Sequence, residues 1–362
     1  MYLITVLDAY GAALPIPDVV QVMRGMGHEV EVVAVVRRGR EGCARLERAG
    51  IPYRFIGERL RQHARPWLRL VRLLRAEKPD LLWTSQMQAT VYGQLAGALC
   101  GVPVVSWQHN AFLKPLNHRI LRATRGLTSR WVADSTASAR FAEAEIGLDR
   151  SCVDVWPLFF ADPDQPRATP WSGEGVFRWG SLGRLHPNKR YHVLIEAAAL
   201  IARRAPGMAA RMSFEIAGTG AERDALEALA ARLGAGNVRF PGYRADAFGF
   251  LAGLHGYVQP SRNEGLCIAA HEAMHAGLPV VATPVGELAH SIVPGETGYR
   301  CAVDDPESLA EALLAVVADP AAAARTGEAA RELIGARFSR ENFVSSGRAV
   351  LERIGRMRLS AA

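Results

Sequence analysis

Short apolar runs alternate along this chain with longer stretches in which apolar residues recur at helical spacing. In the first half the runs fall at 2–7, 30–36, 53–56, 80–84, 103–107, 131–134 and 152–156. Helix-period segments lie between them near 16–26, 40–49, 64–77, 88–100, 115–126 and 136–146. Strand–helix alternation at this spacing predicts a parallel sheet covered on both faces. The pattern breaks at 157–175, where Pro157, Pro163, Pro166 and Pro170 are followed by Gly173 and Gly175, a linker composition. It then resumes, with strands expected at 176–182, 212–217, 237–240, 255–259, 279–282 and 298–301. Helices are expected at 190–203, 220–234, 266–276, 286–292, 306–318, 320–336 and 340–357.

The fold class that follows is α/β, with two doubly wound, Rossmann-like domains in tandem, and 362 residues suffice for two cores. The boundaries expected are 1–160, 161–340 and a final helical segment at 341–362. Ligands of open parallel sheets bind beyond the carboxyl ends of the strands, so two such domains are expected to face each other across a binding cleft.

With 49% hydrophobic and 22% charged residues, the composition is that of a folded globular chain. No run of about 18 apolar residues occurs. The uncharged stretch 81–107 is interrupted by Ser85, Gln86, Gln88, Thr90, Gln94 and Pro103. The chain opens on the strand-like Tyr2–Leu7 with no basic leader, and no signal peptide is expected. Five scattered cysteines without a CxxC argue for a reducing cytoplasm and against a disulfide frame or a cysteine zinc site.

Of the net charge of +7, +6 lies in residues 1–170, with 22 Lys/Arg against 16 Asp/Glu. The first half is therefore the one expected to meet an anionic partner. Between Arg59 and Lys78 seven basic residues face Glu77 alone; Arg61, Arg65, Arg69 and Arg72 form a stripe opposite Trp67, Leu70, Val71 and Leu74. A second cluster comprises Lys114, Arg119, Arg122, Arg125 and Arg130. Peripheral contact with an anionic membrane is one reading, and a solvated face in an arginine-rich chain is the other. Nucleic-acid binding is disfavoured, because the basic segments lack interleaved exposed aromatics.

Two segments carry chemistry. In Gly180-Ser181-Leu182-Gly183-Arg184-Leu185-His186-Pro187-Asn188-Lys189, a buried strand ends in a glycine turn. A guanidinium and an ammonium then lie five residues apart at the start of a helix, a combination suited to a diphosphate. Alone, this reads rather as a surface turn with two solvated cations, since glycine turns of this kind are common. In the second, Ser261-Arg262-Asn263-Glu264-Gly265-Leu266-Cys267 runs into a helix through Glu272. A helix beginning near Gly265 would put Glu264 and Glu272 on one side, with Glu272 buried among alanines and in need of partners.

From Gly183 to Asn342 the sequence resembles the carboxyl-terminal domain of retaining GT-B glycosyltransferases of glycosyltransferase family 4. The resemblance rests on Gly183-Arg184-Leu185 with Lys189, the Glu264/Glu272 pair and the run from Glu272 to Ala282. Gly286-Glu287, Gly295-Glu296-Thr297-Gly298 and Asp304-Asp305-Pro306-Glu307 complete it. The amino-terminal half resembles the family only weakly. The resemblance implies that a nucleotide diphosphate sugar is the donor and a hydroxyl group the acceptor, in the manner of polysaccharide or glycolipid synthesis. It implies no cofactor and no metal. It gives Arg184 and Lys189 to the diphosphate, and Glu264 with the backbone of Gly265, Leu266 and Cys267 to the transferred sugar. Glu272 falls to the ribose, and Tyr243 and Arg244 to the neighbourhood of the base. His109, in Ser106-Trp107-Gln108-His109-Asn110, falls near the reacting carbon, and Gly11 and Asn110 fall on the acceptor side. The last helix is implied to cross back to the first domain. Two departures stand out: the 8–13 loop has a single glycine, Gly11, where the family often has a pair, and Cys267 replaces a usual glycine or proline.

Other readings compete. His271-Glu272-Ala273-Met274-His275 is a literal HExxH, for which Glu296 would be the third zinc ligand. Asp162-Pro163-Asp164 is a DxD, here in the proline-rich linker. A GT-B epimerase or phosphorylase and a non-catalytic nucleotide-sugar-binding protein remain alternatives to a transferase.

Overall fold

The computed structural model describes residues 1–8, 11–38, 41–58 and 64–359, with side chains through 357. The chain divides into two compact units, Met1–Phe159 with Glu341–Ala362, and Phe160–Arg340.

In the first unit, β1 (Tyr2–Leu7), β2 (Val32–Arg37), β3 (Tyr53–Phe55), β4 (Leu82–Ser85), β5 (Val104–Gln108), β6 (Arg130–Ala133) and β7 (Val153–Val155) form one sheet. Its order is β3-β2-β1-β4-β5-β6-β7, and every pairing is parallel. The central strands are buried because helices cover both faces: β1 is buried at every position, and Leu3, Val33 and Val104 pack with Leu70, Leu74 and Ala96. The order reverses between β1 and β4, which leaves a crevice at their carboxyl ends. The helix Arg340–Leu359 belongs to this unit from Glu341 onward. Phe343 packs on Trp156 with ring centroids 5.7 Å apart, and Arg353 pairs with Asp154.

The second unit repeats the plan with β8 (Phe177–Leu182), β9 (Met212–Ala217), β10 (Val238–Gly242), β11 (Gly256–Gln259), β12 (Val280–Ala282) and β13 (Tyr299–Arg300). The order is β10-β9-β8-β11-β12-β13, again parallel throughout, with its reversal between β8 and β11. The helix Tyr191–Arg204 supplies one wall of the core through Val193, Leu194, Ala197, Ala198 and Ile201, packed with Phe177, Trp179 and Phe214.

Three expectations need correction. The helix expected from 266 begins at Ile268, because Cys267 holds a left-handed backbone (φ 60°). The helix expected over 136–146 is α only to Phe141 and continues as a π turn through Ile146. Arg130 is not part of a basic surface: it is buried, with both Nε and Nη2 on the carboxylate of Asp154 at 2.6 and 2.9 Å. The other stripe stands as read, with Arg65, Arg69 and Arg72 exposed and Leu70, Val71 and Leu74 buried on the helix Ala64–Glu77. Arg61 lies outside the described residues.

Candidate active site

The loops after β8 and β11, the strands at the switch point of the second sheet, bring the two sequence segments together. Gly183 and Arg184 follow β8 directly, and a single 3-10 turn, Pro187–Lys189, then returns the chain toward the sheet. His186 starts that turn by accepting the Asn188 N–H at Nδ1 (3.2 Å), which accounts for a histidine inside this segment. Asn188 ties the loop to its neighbour: its Nδ2 donates to the Asn263 carbonyl (2.6 Å), and its own carbonyl accepts from Arg262 N–H (2.9 Å). Asp304 pairs with both Arg190 and Arg262, so one carboxylate spans the two loops. These hydrogen bonds hold the carboxyl of Asp304 well below the usual carboxylate range. Its neighbour Asp305 caps the helix Pro306–Ala318, with Oδ1 accepting from the N–H groups of Glu307 and Ser308, both at 3.0 Å.

Lys189 and Glu264 meet at the centre. Nζ lies 2.7 Å from Oε1, and the side chains are only 19% and 11% exposed. Burial is the largest single influence and opposes the ammonium, but the charge and hydrogen bond of Glu264, together with Cys267 and Tyr191, leave the Lys189 pKa above its ordinary value. The same Oε1 accepts from Ser261 Oγ at 2.6 Å. Arg184 is different: it is exposed and makes no hydrogen bond or ion pair among the described residues. A paired lysine and an uncommitted arginine thus share one sheet edge.

Glycine makes this edge possible. Gly218, with φ 149°, lies so close to the turn after β8 that a Cβ there would be 1.8 Å from the Gly183 carbonyl oxygen. Gly286, with φ 58°, lies against the other loop, where a Cβ would be 2.3 Å from the Glu264 carbonyl oxygen. The backbone N–H groups of Gly265, Leu266 and Cys267 have no acceptor among the described residues, although all three residues are buried. Buried N–H groups left open in this way are suited to a ligand oxygen.

Glu264 and Glu272 do not share a helix: Glu264 lies in the turn before Ile268, and Glu272 is half-buried on the helix Ile268–His275. Cys267 is buried, and burial together with the Glu264 carboxylate pushes its thiol pKa up, so it is not a poised nucleophile. Tyr243, half-buried, and Arg244, exposed, follow β10 at the same carboxyl edge, two strands from β8. The Arg244 guanidinium stands 6.0 Å from the Phe250 ring centroid.

Among the described residues the HExxH segment gathers no third His, Cys, Asp or Glu that could complete a metal site. His271 has both ring nitrogens engaged, Nδ1 3.1 Å from the Cys267 carbonyl and Nε2 2.7 Å from Ser291 Oγ, and burial lowers its pKa to about 4. His275 Nε2 instead meets the Asp162 carbonyl at 2.9 Å. In the DxD segment, Asp162 Oδ1 accepts the Asp164 N–H at 3.0 Å and closes a turn.

In the first unit His109 follows β5, with its ring stacked on Trp107 at 5.8 Å between centroids. Nε2 lies 2.7 Å from Ser85 Oγ at the end of β4, and Nδ1 lies 3.7 Å from Asp134 Oδ2 just after β6. Burial raises the pKa of Asp134, opposed by the His109 ring and by the hydroxyls of Ser138 and Ser135. Neither Ser85 nor Asp134 has a signal in the sequence; three successive strand ends of the sheet bring them to His109. Asn110 is exposed, and its carbonyl accepts from Gln108 Nε2 at 2.7 Å. Gly11 opens a short 3-10 turn after β1.

The chain is similar to known proteins in both sequence and fold. Residues 173–333 match the model for glycosyl transferases group 1, and residues 16–160 that for glycosyltransferase family 4. The chain is 36% identical over 162 residues to the lipopolysaccharide core biosynthesis glycosyltransferase LpsE of Rhizobium meliloti, covering 44% of this chain and 45% of that protein. It is 30% identical over 275 residues to the D-inositol 3-phosphate glycosyltransferase of an Arthrobacter species, covering 69% of this chain and 65% of the other. The first relative is thus matched over less than half its length and the second over about two thirds. Among solved structures, Anabaena HepE in complex with UDP and glucose superimposes with a TM-score of 0.82 at 23% identity, over 98% of this chain and 99% of that one. Sucrose-phosphate synthase of Thermosynechococcus elongatus gives 0.79 at 17% identity, over 100% and 99%.

Proposed function

This chain belongs to the group 1 glycosyltransferases of family 4 and has their GT-B fold, and on that premise we propose that it transfers a hexose-type sugar from a nucleoside diphosphate sugar to a hydroxyl acceptor with retention of configuration. The observation that carries the reading is the pairing of Lys189 with Glu264 beside an uncommitted Arg184 at the switch point of the second sheet. A diphosphate leaving group arrives with charge and departs with more. Arg184 and Lys189 take that charge, the work a divalent metal does in other transferases.

In the reaction the bond from C1 of the sugar to the diphosphate oxygen breaks, and its electron pair stays on the phosphate. The acceptor oxygen bonds to C1 on the same face, and its proton passes to the departing phosphate. Glu264 and the open N–H groups of Gly265, Leu266 and Cys267 hold the sugar hydroxyls. Glu272 accepts from the ribose, and the base lies by Tyr243 and Arg244. His109 orients hydroxyls near C1, and Gly11 and Asn110 lie on the acceptor side. The first unit binds acceptor and the second binds donor.

The test is incubation with UDP-glucose, UDP-galactose, UDP-N-acetylglucosamine and GDP-mannose in EDTA, with product configuration read by NMR. Retained configuration and EDTA-insensitive release of diphosphate are expected. Inversion, or loss of turnover in EDTA, refutes the respective part. A requirement for inorganic phosphate would mark a phosphorylase instead. Glu264→Ala is expected to abolish turnover while nucleotide binding persists.

The acceptor proposed is lipid-linked, reached from an anionic membrane surface in the manner suggested by the lipopolysaccharide relative. The support is the exposed Arg65, Arg69 and Arg72, among which Leu68 stands 47% exposed. Sedimentation with anionic vesicles at low salt, released at high salt, is expected; failure to sediment refutes the membrane reading.

A further inference from the structure

A line of buried polar groups runs along β11 to Glu264, and the carboxylate at its end determines the direction of the protons nearest to it. Leu182 N–H, at the end of β8, donates to Tyr257 Oη at 3.1 Å. Tyr257 Oη donates to Gln259 Oε1 at 3.0 Å, with the Leu182 carbonyl a more distant alternative at 3.2 Å. Gln259 Nε2 donates to Ser261 Oγ at 2.8 Å, and Ser261 Oγ donates to Glu264 Oε1 at 2.6 Å. Tyr257, Gln259 and Ser261 are all fully buried. A backbone N–H can only donate and a carboxylate can only accept. Ser261 must therefore give its proton to Glu264, and its lone pair must be met by an amide N–H, which sets the orientation of Gln259.

Oε1 of Glu264 also receives Lys189 Nζ, so two donors share one carboxylate oxygen. Oε2 takes neither of these two bonds, and the Cys267 thiol is the other side chain that meets this carboxylate. A carboxylate held by one oxygen presents the other at a defined angle, and a charge-assisted hydrogen bond from a fully buried hydroxyl is the stiffer of the two restraints. The lysine stem rotates about four bonds; the serine has one.

We propose that Ser261, oriented by Gln259, is a positioning residue that fixes Glu264 so that Oε2 alone meets the hydroxyls of the transferred sugar. The proposal rests on the glycosyltransferase reading above. Ser261 acts through Glu264 and does not touch the substrate. Because the sugar is held most tightly as C1 develops positive charge, loss of the restraint falls on turnover more than on donor binding.

The experiment measures kcat and donor KM for the unaltered chain, Ser261→Ala, Ser261→Thr and Gln259→Leu, using whichever of the four nucleotide sugars named above the unaltered chain turns over. Melting temperature is recorded for each. Ser261→Ala is expected to lose about tenfold or more in kcat with donor KM changed less than about threefold, as for a lost charge-assisted bond acting in the transition state. Ser261→Thr, which keeps the hydroxyl, is expected to restore most of the loss, and Gln259→Leu to fall between them. A wild-type kcat in Ser261→Ala overturns the proposal. So does an equal loss in Ser261→Ala and Ser261→Thr that follows the fall in melting temperature, because packing alone would do that. Absence of turnover in the unaltered chain defeats the glycosyltransferase reading itself and this proposal with it.

Discussion

Removing either partner of the Lys189–Glu264 pair should cost far more stability than removing both. At 2.7 Å the gross Coulomb attraction is about 6 kcal/mol for an effective dielectric of about 20. Desolvation of two groups that are 19% and 11% exposed offsets a large part of that. What decides the single variants is the charge left behind. In Lys189→Met, Glu264 keeps Ser261 but loses its counter-ion; in Glu264→Gln, Lys189 keeps an acceptor but no charge. Each should destabilise by about 3 kcal/mol, the low end for a broken buried pair because some solvent reaches both. The double variant should lie within about 1 kcal/mol of the unaltered chain, since replacing a buried pair by uncharged groups of similar size is often near neutral. Denaturant unfolding of the four proteins gives the coupling energy, expected at several kcal/mol and at least about 2. Additive single effects, with coupling below about 0.5 kcal/mol, would refute the claim that these charges are buried against each other. All three variants should lose activity, so stability and catalysis part company in the double variant.

Three further outcomes are expected. His271 is fully buried, and its pKa falls from 6.5 to about 4, so the unfolded chain takes up a proton first as pH drops. The His271 contribution should be nearly constant above about pH 7.5 and be reduced by about 2 kcal/mol from that plateau by pH 5, the slope approaching about 1.4 kcal/mol per unit below pH 6; an unchanged unfolding midpoint across that window would contradict it. Gly286→Ala should destabilise by more than about 1 kcal/mol, as a residue held at positive φ. It should also depress turnover, because its Cβ meets the Glu264 carbonyl; normal activity in that variant would mean the loop is not packed as described. Asp304→Asn should cost about 1–2 kcal/mol through the loosened pairs with Arg190 and Arg262. The wild-type contribution of Asp304, whose carboxyl is held low, is present above the ordinary carboxylate range and is lost on acidification, so the difference between the two proteins should shrink below about pH 4.

What the sequence made legible follows from how local each signal is. The strands were readable because runs such as Val32–Val36 are buried on both faces, which shows directly as uninterrupted apolar residues; in Val104–Trp107 the buried Ser106 alone interrupts the run. The helix Ala64–Glu77 was readable because only one of its faces is buried. The turn at Cys267 was not: the sequence around it favours a helix from Gly265, and nothing local marks the left-handed residue that delays its start to Ile268. Arg130 looked like a surface cation because its partner, Asp154, is 24 residues away on the neighbouring strand. Ser261 and Asp304 lie inside segments that attracted notice. Their roles depend on contacts with Glu264, Arg190 and Arg262 made by loop closure, and no spacing rule encodes those. The short helix Ala247–Ala252 was missed because a glycine at 249 breaks its period; Asp246 starts it by capping the Gly249 N–H at 2.8 Å.

The most direct test of the account is the melting temperature of the unaltered chain and of Arg184→Ala with uridine and guanosine diphosphates, the corresponding nucleosides, and nucleotide sugars, each with and without EDTA. A ligand that binds only the folded state raises the midpoint once well above its dissociation constant. One diphosphate series should stabilise the unaltered chain equally in EDTA, its nucleoside should not, and Arg184→Ala should lose most of the shift. No shift with any diphosphate, or a shift that EDTA abolishes, would contradict a site built on Arg184 and Lys189.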